Sequence, residues 1–301
     1  MRTTTTAPES TRRMILIGGV HGRTGTSLVK RLVCQHPQVS AVAAGETRMF
    51  EAISELWPLL STDVGYTPGG GTNGLKAFAE HVRDTLGDTP EIRKSLGRLD
   101  KTLGVRYMRL IGRPRLPLPV PQSDEVLAKA FGVFISEAFR AAALDPSRPV
   151  LCEKTPSNAL YFPRIRRLLP TARIVVMVRN PVAVALSHTK RDWGPTDPIQ
   201  AARYTAAYFR RWRDMEVQDE RCLLVRHEDL VDEPERVFSG VLDHLGLSRT
   251  SSVIKYAASQ MRPTVDRRSE LSASANDEMR ALLSDALHHF GYDREVVRTN
   301  E

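Results

Sequence analysis

Cysteine is scarce in this chain. Only Cys34, Cys152 and Cys222 occur in 301 residues, an odd and widely scattered set with no spacing suited to zinc or redox chemistry. That excludes a disulfide-stapled scaffold, points to a reducing cytoplasm, and leaves the three thiols as small buried hydrophobes. Aromatic residues make up 6%, too few to supply the stacking platforms of a single-strand nucleic-acid binder, so no nucleic-acid partner is expected. Apolar runs are short, the longest lying near 14–20 and 174–178. None approaches the roughly 18–20 residues of a membrane span, and the first is too short and too glycine-rich for a signal-peptide core. The Thr- and Arg-rich residues 1–13 before it are expected to form a disordered tail, and no internal repeat is visible. What remains is the composition of an ordinary globular chain, 41% hydrophobic and 26% charged. Lys and Arg number 43 against 35 Asp and Glu, a net charge of +8 that favours anionic partners without choosing among phosphates, sulfates, nucleic acid and acidic lipid.

Val- and Ile-rich runs recur at 14–19, 39–43, 150–152, 173–178 and 222–225. Unbroken runs of this kind predict parallel strands buried on both faces. Helical spacing occupies 26–36, 48–59, 124–144, 156–169, 181–190, 199–219 and 234–245, with one further amphipathic helix at 276–290. Strands alternating with helices make an α/β fold, a doubly wound parallel sheet flanked by helices, with residues 14–301 as a single domain. Three adjacent glycines within 61–73 and four prolines within 113–121 predict loops. They bracket helical text at 75–110, so 61–122 is expected to be an insertion forming a lid over the acceptor.

The first strand runs into Gly19-Val20-His21-Gly22-Arg23-Thr24-Gly25-Thr26-Ser27 and then a helix. Glycines let backbone amides converge, and the helix start adds its dipole, so the turn suits an anion. A nucleoside-triphosphatase loop requires Gly-Lys-Ser/Thr, whereas Gly25-Thr26-Ser27 lacks the lysine and the nearest cation is Arg23. On these residues alone, a purely structural tight turn stays open. A second anion signal follows the most apolar strand, which ends in Arg179-Asn180-Pro181 and enters a helix carrying Ser187. A magnesium-dependent NTPase would place an aspartate at such a strand end. Arg179 and Ser187 are spaced to approach one phosphate from two sides, unless Arg179 pairs with a surface carboxylate and Ser187 is merely solvated.

Together these stretches resemble the sulfotransferases that use 3′-phosphoadenosine 5′-phosphosulfate (PAPS), a family with a P-loop NTPase-like fold. Arg23 to Ser27, Arg-Thr-Gly-Thr-Ser, is similar to the family's 5′-phosphosulfate loop, and Arg179 to Ser187 to its 3′-phosphate motif. His36-Pro37, Glu153-Lys154-Thr155-Pro156 and Arg226-His227-Glu228-Asp229-Leu230 agree as well. Gly45-Glu46-Thr47-Arg48 is closest to the tyrosylprotein sulfotransferase branch and its bacterial relatives, where Gly-Glu-Glu-Thr-Arg carries the catalytic base. His227 stands where the family usually has tyrosine, which weakens a stacking role on adenine.

The resemblance implies that Gly22, Arg23, Thr24, Gly25, Thr26 and Ser27 hold the 5′-phosphosulfate, and that Arg179, Ser187 and Arg191 hold the 3′-phosphate, with His227 nearby. It implies Glu46 as the base, and Arg23 and Lys154 as the cations that neutralise the leaving phosphate, with PAP as product and no metal required. The residues leave other readings open. Glu46 could serve only as a carboxylate at the start of helix 48–59, Lys154 could be merely solvated, and His21 could be a second proton acceptor or an ordinary loop residue. Arg106, Arg109, Arg113 and Arg115 suggest either an acidic acceptor or a solvated face, and Arg262, Arg267 and Arg268 resemble a loop that closes over the nucleotide. The acceptor is a hydroxyl on a small molecule, glycan, lipid or peptide, and both a monomer and a homodimer fit. The competing functions are a P-loop kinase or NTPase and a non-catalytic anion- or nucleotide-binding protein.

Overall fold

The computed structural model describes residues 13–62, 68–108, 116–118, 120, 122–215, 219–262 and 271–293. The first half of the chain forms β1 (Met14–Gly19), α1 (Thr26–Val33), β2 (Val39–Ala41), α2 (Met49–Leu60), α3 (Pro68–Leu86), α4 (Pro90–Thr102), β3 (Arg106–Met108), β4 (Leu116–Leu118) and α5 (Asp124–Ala141). The second half forms β5 (Val150–Lys154), a 3-10 turn (Pro156–Tyr161), α6 (Phe162–Leu168), β6 (Arg173–Val178), α7 (Pro181–His188), α8 (Pro198–Met215), β7 (Cys222–Arg226), α9 (His227–Asp232), α10 (Pro234–His244), α11 (Ser251–Gln260), α12 (Ala273–Leu282) and α13 (Ser284–His289). Five strands make one sheet in the order β2-β5-β1-β6-β7. β2 runs parallel to β5, and β6 parallel to β7. Every residue of β1 and β5 is buried, the result expected of unbroken apolar runs covered on both faces.

The chain divides into two compact units. One holds Pro37–Arg173 with the chain up to Leu16, the other Ile17–His36 with the chain from Ile174 onward. The core of the first gathers Phe50, Trp57, Phe131, Phe134 and Phe139, all essentially inaccessible. Trp57 Nε1 and Ser61 Oγ both donate to Asp124 Oδ1 at 2.7 Å, so the start of α5 is tied to the end of α2. In the second unit, α8 lies against α7 and α12, and Phe209, Trp212 and Phe290 pack as a ring cluster.

Several expectations need correction. The three-glycine stretch is not a loop beyond residue 67, because α3 begins at Pro68 and includes all three glycines. Proline's fixed φ suits a first helical turn, and Leu75, Phe78, Val82 and Leu86 give the helix a buried stripe that outweighs the glycine propensity. Gly74 also has a packing reason, since a Cβ there would lie 2.8 Å from Leu59 Cδ1. Within the two segments read as helical text and proline loop, β3 and β4 form an antiparallel pair with Tyr107 opposite Pro117. A two-stranded ribbon has only edges, where proline is tolerated. The single C-terminal helix is two, α12 and α13, broken at Leu283 (φ −103°, ψ 6°). The sequence reading passed over α11, whose buried face is only Val253 and Ala257. Residues 1–12, Arg109, Arg113, Arg115, Arg267 and Arg268 lie outside the described residues. Among the described residues, no helix is long and apolar enough to cross a membrane.

One position tests the first unit's packing directly. A Cβ on Gly132 of α5 would sit 2.4 Å from the carbonyl oxygen of Leu168, which is backbone and unable to swing aside. Gly132→Ala is expected to destabilise the protein by about 1–3 kcal/mol, read as a lower urea midpoint at unchanged m-value.

Candidate active site

The carboxyl end of β1 opens into the glycine loop, within the second unit. Gly25 adopts φ 98°, a conformation that L side chains rarely take, and a Cβ there would meet His227 Nδ1 at 2.9 Å. α1 then starts at Thr26 behind Gly25, so no N-cap side chain accepts from its first amides, which like those of any helix have no intrahelical acceptor. Thr24 is buried and its hydroxyl donates to the His21 carbonyl at 3.0 Å, which shapes the turn, whereas Ser27 is exposed. Arg23 takes a left-handed φ of 72°, uncommon for a non-glycine residue, and is half-buried.

The later motif meets this loop. Arg23 Nε donates to Ser187 Oγ at 3.2 Å, and Arg179 Nη1 donates to the Arg23 carbonyl at 3.4 Å. Burial lowers the Arg23 pKa, and the like charges of Arg191 and Arg179 lower it further. Guanidinium groups held this close repel one another until an anion lies among them. Asn180, next to Arg179, caps α7 by accepting from the amides of Val182 and Ala183. Its own amide donates to Glu228 Oε1 at 3.0 Å, and Tyr292 Oη donates to Glu228 Oε2 at 2.6 Å. Burial and the charge of Glu228 push the Tyr292 hydroxyl well above the ordinary range, and the Arg226 guanidinium lies 4.1 Å from the Tyr292 ring centroid. His227 Nδ1 is buried without a hydrogen-bond partner; burial, then Arg179, lowers the imidazole pKa.

Two further histidines line the same loop. His21 Nδ1 and His188 Nε2 are 2.9 Å apart, and both residues are almost completely buried. Desolvation, then the charge of His188, lowers the His21 pKa to about 3; desolvation is also the main cause of the fall to about 4 at His188, with Arg23 and Arg191 adding to it. The pair is surrounded by rings. His21 lies 5.1 Å from Tyr204 and 4.4 Å from Tyr208, and His188 lies 5.2 Å from Trp193, between centroids. An imidazole this hard to protonate is a poor proton acceptor, which disfavours His21 in that role.

In the first unit, Lys154 ends β5 and Glu46 lies in the segment between β2 and α2. Lys154 Nζ donates to Glu46 Oε1 at 2.5 Å; the lysine side chain is 8% exposed and the carboxylate 33%. Arg48 stands two positions from Glu46 in the chain, but the ion pair formed is with Lys154. Beneath this pair lies Glu153, with no exposure at all. Its Oε1 accepts from Thr47 N (3.3 Å), Thr47 Oγ1 (3.0 Å) and Thr155 Oγ1 (2.7 Å), and its Oε2 from Asn158 Nδ2 (2.7 Å).

The predicted residues therefore fall into two groups: Gly22 to Ser27, Arg179, Ser187, Arg191 and His227 in one unit, Glu46 and Lys154 in the other. Within the first group Arg23, Arg179 and Ser187 are in direct contact. Sequence reasoning missed the aromatic shell of the histidine pair, the Glu228–Tyr292 tie and the anchoring by Glu153. A charged residue inside the buried run 150–154 was the available sign of the last of these.

Comparison with known proteins gives a family, with a match that begins after the glycine loop and Glu46. The family model described as "Sulfotransferase family" matches residues 74–251. Protein-tyrosine sulfotransferase 2 of Gallus gallus is 24% identical over 240 residues, 74% of this chain and 61% of that protein. Two nematode relatives, from Caenorhabditis elegans and Caenorhabditis briggsae, are 28% and 27% identical over 146 residues, and the chain spans about half of their lengths, 53% and 49%. Among solved structures, the sulfotransferase STF9 of Mycobacterium avium superposes with a TM-score of 0.50 at 16% identity, covering 94% of this chain and 78% of that one, a likeness of fold.

Proposed function

The chain belongs to the sulfotransferase family, and from that premise we propose that it moves a sulfuryl group from PAPS to the hydroxyl of an acceptor. The observation that carries the donor assignment is the meeting of two sequence motifs: Arg23 on the glycine loop bonds Ser187, and Arg179 bonds the loop carbonyl of Arg23. A cluster of guanidinium groups against a glycine turn fits a donor with phosphate at two positions of one nucleoside. Glycine at 25 is required by the turn itself, since φ is positive and a Cβ there would lie 2.9 Å from His227 Nδ1.

When bound, the donor supplies the sulfuryl group, whose bond to the 5′-phosphate oxygen is exchanged for a bond to the acceptor oxygen. Arg23, Thr26, Ser27 and the first amides of α1 hold the 5′ end, and Arg179, Ser187 and Arg191 the 3′-phosphate. Glu46 takes the acceptor's hydroxyl proton. Arg23 and Lys154 offset the negative charge that builds on the leaving phosphate, the kind of stabilisation that dominates transfer of a charged group between oxygens. The acceptor class stays at the level of a hydroxyl.

Titration with PAP and with ADP tests the donor assignment, since only a 3′-phosphate reaches Arg179 and Ser187 in this reading. PAP is expected to bind more tightly than ADP. Arg179→Ala is expected to remove about 1.5–3 kcal/mol, roughly 10–150-fold, of PAP affinity while leaving ADP binding nearly unchanged. Equal affinities for PAP and ADP in the natural protein, or an Arg179→Ala protein with full PAP affinity, would sink the assignment. Transfer of labelled sulfate from PAPS into a cell extract, followed by mass identification of the product, identifies the acceptor.

A further inference from the structure

A carboxyl group taken wholly out of water is unfavourable unless its oxygens are hydrogen-bonded. Glu153 meets that requirement with four bonds, and the identity of the donors is informative. Thr47 directly follows Glu46, and Thr155 directly follows Lys154. The Thr155 hydroxyl, while donating to Glu153, accepts from the amide of Arg48 at 3.1 Å. The Thr47 carbonyl accepts from His81 Nε2 at 2.7 Å, which braces the same residue from α3. Ala43 and Arg48, on either side of Glu46, take left-handed φ values of 56° and 48°, so this segment is bent in a way its own residue types do not favour. Successive side chains of a strand point to opposite faces, so Glu153 turns into the protein where Lys154 turns out to Glu46.

We propose that Glu153 is the positioning residue of the Glu46–Lys154 pair: through Thr47 and Thr155 one buried carboxylate sets the place of the proton acceptor and of its cationic partner. The proposal rests on the sulfotransferase reading for its effect on turnover, but its structural content stands apart from that reading. Glu153 acts through its neighbours and need not touch the substrate.

Hydrogen exchange and turnover test it together, on the full chain. In Glu153→Ala, amide exchange in 45–50 is expected to rise by at least about tenfold while 14–33 exchanges as before. Glu153→Gln is expected to restore protection, because its amide oxygen can accept from Thr47 and Thr155, and Asn158 can flip to accept from its amide nitrogen. Thr155→Val removes one donor and serves if Glu153→Ala fails to fold; it is expected to raise exchange in 45–50 as well. With PAPS and 4-nitrophenol, Glu153→Ala is expected to lose about 10²-fold in kcat at unchanged PAP affinity, and Glu153→Gln to stay within about tenfold of the natural protein. In a Glu46→Gln background the further loss from Glu153→Ala is expected to vanish, since both act through one group. Unchanged exchange in 45–50 in the folded variants overturns the proposal, as does a loss that is fully additive with Glu46→Gln. Full turnover by Glu46→Gln itself, or equal affinities of the natural protein for PAP and ADP, counts against the functional reading alone, and the exchange result still decides the role of Glu153.

Discussion

Glu46→Gln is expected to lower turnover by about 10²–10⁴-fold, the usual contribution of a positioned proton acceptor, while PAP affinity stays within about twofold. The substitution keeps shape and an oxygen able to accept from Lys154 Nζ, so the contact at Glu46 Oε1 survives in weaker form. What it removes is the capacity to take a proton. Arg23 bonds Ser187, and Arg179 bonds the Arg23 carbonyl, so the PAP contacts proposed for them have no reason to change. The acid limb of the kcat/KM profile is expected to flatten in the same variant, because the group that must be deprotonated is gone. A Glu46→Gln protein that transfers sulfate at the natural rate would remove Glu46 from the chemistry.

Stability is expected to fall steeply as pH drops below about 6.5, because His21 and His188 stay neutral in the folded chain down to about pH 3 and 4. Above the ordinary histidine pKa both imidazoles are neutral whether folded or unfolded, and the pair adds no pH dependence. Between that pKa and about 4, the unfolded chain binds two protons that the folded chain refuses, so unfolding gains with each step of acidification. Two such groups give a slope of up to about 2.7 kcal/mol per pH unit. The dependence fades as His188 and then His21 titrate in the folded state. Urea midpoints at pH 7 and pH 5 measure it. The double variant His21→Asn with His188→Gln, which has nothing to protonate at these positions, is expected to lose most of the slope. A midpoint difference as large in the double variant as in the natural chain would assign the effect to other groups.

The parts of this molecule readable from sequence are those with local signatures. The strands at 14–19 and 173–178 appear at their expected bounds because an unbroken apolar run has little choice but burial. The glycine loop and Arg179 each carry a signature confined to a few residues. Their meeting required only that both follow neighbouring strands of one sheet. Less was legible where residues far apart in the chain decide the outcome. Glu46 and Lys154 are 108 residues apart, and nothing near Glu46 reveals that its partner is a lysine rather than Arg48. Glu153 reads locally as one half of a charged dipeptide, and only the fold turns the two charges to opposite sides. The glycines at 69–71 misled for the same reason, since a propensity against helix lost to the buried stripe of Leu75, Phe78 and Val82.

The bond from Tyr292 to Glu228 carries a practical lesson for handling this protein. Glu228 holds the amide of Asn180, one residue beyond the guanidinium proposed for the 3′-phosphate, and its second oxygen accepts from the tyrosine hydroxyl. Tyr292, more than a hundred positions downstream, is thus linked through Glu228 to the backbone beside Arg179. If Arg179 holds the 3′-phosphate as proposed, a shortened or fused version that disturbs residue 292 is expected to weaken PAP binding without altering any residue assigned to the nucleotide.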